Sequence, residues 1–255
     1  MEDEKEQISN VMRKRIADFY LACLSNERGK MLSLFRSLFF ILSQFYFLAI
    51  EARWLIYRLK LVPQTRMACT VISVGNITWG GTGKTPAVTM IANRLREVGK
   101  RVTVLSRGYR KKKDRKSDIL VVSDGKKLLS SYVEAGDEPY LLSKTLAGIP
   151  IIVGKNRIKS GKYAIDRFGT EVLVLDDGFQ YWPLKKDLDI VTVDCLNPYG
   201  NGYLIPRGSL REPISHLSRA DMFLLTRTDL VSRDDLYRLI CELERLNPNL
   251  SLIHI

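Results

Sequence analysis

The segment Gly75-Asn-Ile-Thr-Trp-Gly-Gly-Thr-Gly-Lys-Thr-Pro86 constrains this chain more than any other. It follows a short β-rich run, residues 70–74, and opens into a helical pattern. Glycines at 80, 81 and 83 let backbone N–H groups approach an anion closely, since no Cβ stands in the way. Lys84 reaches for the β- and γ-phosphates of a nucleotide, and the Thr85 hydroxyl suits Mg²⁺. Thr78, Gly80, Gly81, Thr82, Gly83, Lys84 and Thr85 are therefore the expected nucleotide-binding residues. Thr78 stands where the general pattern G-x-x-x-x-G-K-[ST] has its first glycine. Downstream, Ala87, Val88, Ile91, Leu95 and Val98 share one helical face, and Gly99 marks the stop.

Seven short apolar runs alternate with helical patterns: residues 70–74, 101–105, 119–122, 151–153, 172–175, 190–193 and 222–225. That alternation predicts an α/β fold, P-loop NTPase-like, with a largely parallel sheet and flanking helices. Helices are expected from Asp137, closing at Gly148, over residues 156–168 and over 232–246. Ligands of such sheets sit at the carboxyl ends of strands. Asp176 and Asp177 directly follow the run 172–175, the placement of carboxylates that hold a nucleotide's Mg²⁺.

A chain of 255 residues with 45% hydrophobic content can bury one substantial core. Its four cysteines are scattered without a C-x-x-C pair, and only His216 and His254 could join them, so a reduced compartment and no structural zinc are expected. A net charge of +12 implies anionic partners. Seven Lys and Arg fall between Arg107 and Lys116 against the single acid Asp114, with no aromatic platform beyond Tyr109. Phosphate or a lipid surface is favoured over nucleic acid, and no obligate protein partner is inferred.

Residues 37–50 form an uncharged, aromatic-rich stretch between Arg36 and Glu51. As a helix it extends about 21 Å, against a hydrocarbon core of about 30 Å, which disfavours a simple span. Its distance from the terminus and the lack of a small-residue cleavage site argue against a secretory signal. Trp54, Tyr57, Arg53, Arg58 and Lys60 continue it with residues suited to headgroups. Periodicity leaves two readings open, an interfacial amphipathic anchor and a helix packed on the core. Residues 1–30 read as a polar leader.

Taken together, Gly75-Asn76, Gly80-Gly-Thr-Gly-Lys-Thr-Pro86, Ser106-Arg-Gly-Tyr109, Gly136-Asp-Glu-Pro139, Asp176-Asp-Gly-Phe-Gln180, Gly200-Asn-Gly202 and Leu210-Arg-Glu-Pro213 resemble the tetraacyldisaccharide 4′-kinases of lipid A biosynthesis, from about Leu34 to Thr228. The resemblance implies ATP- and Mg²⁺-dependent phosphorylation of the 4′-hydroxyl of an acylated disaccharide 1-phosphate. It implies a peripheral or monotopic location at an anionic membrane surface, the cytoplasmic face of the inner membrane. By the same resemblance Lys84 and Asp137 are catalytic, Asp137 matching the acid of an Asp-His base pair, while Thr85, Glu138, Asp176 and Asp177 serve the metal. Neither His216 nor His254 matches the family's D-H-x-[FY]-like motif. Arg110 and Lys111 replace a usual Gly-Gly, and Tyr181-Trp182 follow Gln180 where a histidine is common. The organisation implied is a leader and interfacial helix over 1–61, a kinase core over 62–228 and the start of a truncated C-terminal lobe over 229–255. Two other readings stand beside it: a relative that binds nucleotide and lipid with impaired catalysis, and a P-loop ATPase or GTPase switch suggested by Thr226-Arg-Thr-Asp229.

Overall fold

The computed structural model describes residues 30–108, 118–248 and 251–254. The leader over 1–29 and, beyond Gly108, the basic run up to Lys116 lie outside the described residues. Two compact units emerge. One takes in residues 30–55 with Thr78–Gly80 and Tyr199–Ile214; the other takes in Ile56–Ile77, Gly81–Pro198 and the rest.

The larger unit is built on an eight-stranded sheet. Its strands are β1 (Thr70–Gly75), β2 (Val102–Ser106), β3 (Ile119–Asp124), β4 (Pro150–Gly154), β5 (Val172–Asp176), β6 (Leu188–Asp194), β7 (Met222–Thr226) and β8 (Ser251–His254). Their order is β3-β4-β2-β5-β1-β6-β7-β8. Among the described residues only β3 runs antiparallel to its neighbour. Parallel strands need helical crossovers and are covered on both faces, which is why they read as unbroken apolar runs rather than alternating ones. Val172 and Val174 of β5 pack into one buried cluster with Ala87, Val88, Ala92 and Leu142. Leu173 and Leu175 enter the other, with Met67, Leu105 and Ala164.

The helices fall close to expectation. In chain order α1 is Lys30–Arg58, α2 Lys84–Glu97, α3 Tyr132–Ala135, α4 Asp137–Thr145, α5 Arg157–Phe168 and α6 Arg233–Leu246. Gly83 precedes α2 in a left-handed conformation, Asn156 caps α5 by accepting from Lys159 N–H, and Ser232 caps α6 through Asp235 N–H. The helix α4 ends at Thr145 and not at Gly148, because Leu146 leaves helical geometry (ψ 73°). The segment 229–255, expected as the beginning of a second lobe, supplies α6 and places β8 beside β7 in the same sheet.

Helix α1 runs 29 residues, twice the uncharged stretch seen in the sequence. No glycine or proline interrupts it, so it continues past Glu51 and Arg53 until Lys60 turns left-handed (φ 57°). At about 43 Å it is long and apolar enough to cross a membrane by length and composition, which corrects the length argument against a span. Its burial among the described residues differs from face to face. Leu32, Arg36, Phe39, Ser43, Tyr46, Ile50, Trp54 and Tyr57, spaced three and four apart, form one partly covered stripe. Leu34, Leu38, Ile41, Leu42, Phe45 and Leu48 lie exposed on the remaining, broader face. An apolar face left exposed in this way is compatible with peripheral membrane association.

Candidate active site

At the carboxyl edge of the sheet, β1 releases the chain into the glycine-rich loop, with β5 on one side and β6 on the other. Val74 of β1 is in register with Asp176 of β5, which sets the acidic turn beside the loop. The approach is close enough to dictate glycine twice. A Cβ on Gly75 would lie 2.6 Å from Phe179 Cβ and 2.7 Å from its nitrogen, and one on Gly178 would lie 2.5 Å from Ser73 Oγ.

The trailing half of the loop is fastened by buried polar side chains. Asn76 is fully buried; its Nδ2 donates to Thr82 Oγ1 (2.9 Å), its Oδ1 accepts from Lys84 Nζ (3.1 Å), and its carbonyl accepts from Gln180 Nε2 (2.8 Å). Thr82 Oγ1 shares a hydrogen with Thr192 Oγ1 (2.9 Å) at the end of β6. Thr226 Oγ1, ending β7, donates to the Thr82 carbonyl (3.3 Å), and Arg227 Nη2 to the Gly81 carbonyl (2.5 Å). Arg227 is itself paired with Asp194 at 3.1 Å. Gly83 (φ 79°) has no room for a side chain, since a Cβ would stand 2.9 Å from Thr226 Cγ2. It then starts α2, so Lys84 and Thr85 occupy the first helical turn, where N–H groups and the helix dipole favour an anion.

Lys84 is 13% exposed and stands 4.0 Å from Asp177. The ammonium is thus held between an amide oxygen and a carboxylate. Asp176 is buried, and Ser106 Oγ donates to its Oδ2 (3.0 Å). Burial first, then the negative charges of Glu138 and Asp177, push its carboxyl up to about 6. Glu138 and Asp137 are exposed on the first turn of α4. His216 packs elsewhere, buried against the Trp182 ring with centroids 6.2 Å apart.

Among the described residues no three His, Cys, Asp or Glu side chains gather into a metal cage. Mg²⁺ does not require one, because it keeps several waters and binds through one or two carboxylates plus phosphate oxygens. The donor set fits that ion: Thr85 offers a hydroxyl, and the charges of Glu138 and Asp177 that raise the Asp176 carboxyl are ones a cation would offset.

Sequence reasoning missed Arg157. It is 4% exposed, and its Nη2 donates to the main-chain carbonyls of Asp176 (2.6 Å) and Asp177 (3.1 Å). Asp177 is one of three non-glycine residues with positive φ among those described (53°), and the guanidinium braces that turn. Burial pulls the Arg157 group below its ordinary pKa, opposed by the charges of Asp177 and Asp176. Tyr181 and Trp182 also find a role here. Tyr181 lies under the Arg157 guanidinium (5.2 Å) and accepts from the Arg157 N–H, while Trp182 packs on Tyr57.

The sequence profile of the family described as Tetraacyldisaccharide-1-P 4'-kinase matches residues 35–250. The chain belongs to this family. It is 44% identical over 239 residues to the tetraacyldisaccharide 4'-kinase of Halothermothrix orenii, a match covering 93% of this chain and 62% of the relative. The corresponding protein of Syntrophus aciditrophicus is 46% identical over 73% of this chain and 50% of its own length. Among solved structures, LpxK from Aquifex aeolicus in complex with ATP superposes with a TM-score of 0.70 at 38% identity, covering 77% of this chain and 60% of that one. The chain therefore spans half to three-fifths of these relatives, and the phosphate-loop α/β fold is shared.

Proposed function

We propose that the chain binds ATP with Mg²⁺ and transfers the γ-phosphate to the 4′-hydroxyl of a tetraacyldisaccharide 1-phosphate. The observation carrying this reading is the convergence of Lys84 and the Asp176–Asp177 turn on one loop, with Lys84 Nζ 4.0 Å from Asp177. The A. aeolicus relative, whose structure contains ATP, supports the choice of nucleotide.

In this reading the loop N–H groups from Gly80 to Thr85 bind the phosphates, and Lys84 exchanges Asn76 and Asp177 for the β- and γ-oxygens. Phosphoryl transfer demands little beyond positioning and charge stabilisation, which a preorganised loop and a fixed ammonium supply. Thr85, Asp176, Asp177 and Glu138 would hold Mg²⁺, which would supply neutralisation of the phosphate charge. Ser106 and Arg157 keep the acidic turn aimed at that place. Asp137, beside Glu138 on α4, is assigned to the acceptor hydroxyl. The exposed apolar face of α1 supports a peripheral or monotopic seat on the cytoplasmic face of the inner membrane, where an acylated acceptor resides. The same reading treats 62–228 as the kinase core.

The test is transfer of labelled γ-phosphate to tetraacyldisaccharide 1-phosphate in detergent micelles, beside Lys84→Ala. Product is expected from the parent chain and a fall of at least about a hundredfold in the variant. Equal product from both would remove the assigned site. ATP binding without product would favour a nucleotide-binding relative, and hydrolysis without acceptor a P-loop ATPase.

A further inference from the structure

The leading half of the phosphate loop is fastened differently from the trailing half. Thr78–Gly80 groups with α1 and Tyr199–Ile214 in the smaller unit. Trp79 N–H donates to the Ser209 carbonyl (2.7 Å), and Thr78 forms an antiparallel bridge with Leu210. Arg211 Nε donates to the Thr78 carbonyl (3.3 Å). The carbonyl of Arg211 in turn accepts the hydroxyl of Tyr46, on the covered stripe of α1, at 2.8 Å.

The arm that carries Arg211 is closed by its own backbone hydrogen bonds. Leu210 N–H donates to the Tyr203 carbonyl (3.0 Å), Ile205 N–H to the Leu210 carbonyl (2.9 Å), and Gly208 N–H to the Leu204 carbonyl (2.9 Å). The Tyr203 ring meets Phe40 of α1 edge-on with centroids 6.1 Å apart. A Cβ on Gly208 would collide with Asn201 and the Tyr203 carbonyl, so the arm closes only with glycine there. Through Arg211, these contacts link a helix with an exposed apolar face to Thr78.

We propose that Tyr46 is a positioning residue of the nucleotide site: its hydroxyl orients Arg211, whose Nε holds the Thr78 carbonyl and so aims the N–H groups of Thr78–Gly80 at a phosphate. Tyr46 touches no nucleotide and acts only through Arg211. The inference rests on nucleotide binding at this loop. Displacing such donors by a fraction of an ångström weakens anion binding, because their value depends on being aimed before the ligand arrives.

The experiment uses the full chain in detergent micelles, with equilibrium binding of a fluorescent ATP analogue displaced by ATP or by AMP. Tyr46→Phe removes one O–H and keeps the ring. Expected is an ATP affinity about 3- to 10-fold weaker, the effect of one net hydrogen bond, with AMP less affected and the unfolding temperature nearly unchanged. ATP affinity equal to the parent's would overturn the proposal. So would equal losses for ATP and AMP that track a lowered unfolding temperature, the signature of a merely structural role. Lys84→Ala, measured alongside, separates the two readings. A parent chain binding no better than Lys84→Ala removes the nucleotide site and this proposal together, whereas lysine-dependent binding that ignores Tyr46→Phe removes this proposal alone.

Discussion

Replacing Arg157 by methionine separates what this buried cation does for the fold from what it does for the site. Its two hydrogen bonds to the Asp176 and Asp177 carbonyls are charge-assisted, at 2.6 and 3.1 Å. At about 1.5–3 kcal/mol each, their loss removes about 3–6 kcal/mol. Against that, keeping a guanidinium away from water costs several kcal/mol, a cost methionine of similar length does not carry. The difference is a net destabilisation of about 1–3 kcal/mol, or an unfolding temperature lower by about 2–12 °C for a domain of this size. The acidic turn has no such compensation. Asp177 sits at φ 53°, which costs about 1–2 kcal/mol for a residue with a Cβ, and one of the bonds that holds it there is gone. Magnesium-supported ATP affinity should therefore fall about 10- to 100-fold, the usual effect of losing a partner that orients a metal ligand. Affinity measured in chelator should stay near that of the parent. Arg157→Lys, which keeps the charge and loses the planar fork, should lie between. The assay is nucleotide titration across magnesium concentrations together with thermal unfolding. A variant with a lowered unfolding temperature and an unaltered magnesium dependence would refute the reasoning and leave Arg157 as a packing residue.

Gly75→Ala places a methyl group 2.7 Å from the Phe179 nitrogen, where the neighbour is backbone and cannot rotate away. Overpacking of this kind costs about 1–3 kcal/mol, and the shift falls on the turn carrying Asp177, so both unfolding temperature and ATP affinity should drop; a stable variant with unchanged affinity would show the contact to be loose. On α1, Phe45 and Leu48 are 67% and 60% exposed. Phe45→Ser with Leu48→Ser removes about 2–4 kcal/mol of apolar burial, so partition into anionic vesicles should fall at least about 30-fold in sedimentation, and equal partition would remove the interfacial assignment.

Much of this architecture is legible from residues alone, for reasons that differ by element. Parallel strands buried on both faces must be short apolar runs, and the structure has strands over all seven. Helix starts were marked by Asn156 and Ser232 because their side chains satisfy N–H groups that the helix leaves open. The C-terminal reach of α1 was legible, since Arg53, Trp54, Tyr57 and Arg58 continue the pattern, whereas its start at Lys30 was not, because residues before Ser37 carry charge and those up to 30 read as leader. Arg36 and Glu51 lie on or beside the partly covered stripe, and the helix stops only at Lys60.

The site divides along similar lines. The glycines, lysine and paired carboxylates of the proposed site are conspicuous in sequence, because few other patterns suit a phosphate or Mg²⁺. Their supports do not. Arg157, one residue past a helix cap, reads as a solvated cation, and only the carbonyls it meets reveal that its charge is spent indoors. Thr192 and Thr226 read as ordinary strand residues, yet their hydroxyls hold Thr82. The motifs Gly200-Asn-Gly202 and Leu210-Arg-Glu-Pro213 carried a resemblance without a task until the structure folded them into the arm that meets Thr78 and Trp79. What looks in sequence like one glycine-rich motif is thus held by two sets of partners: Ser209, Leu210 and Arg211 on Thr78 and Trp79, and strand-end side chains from Gly81 onward. A loop secured that way depends on residues more than a hundred positions downstream, and that dependence is invisible to any reading of the loop itself.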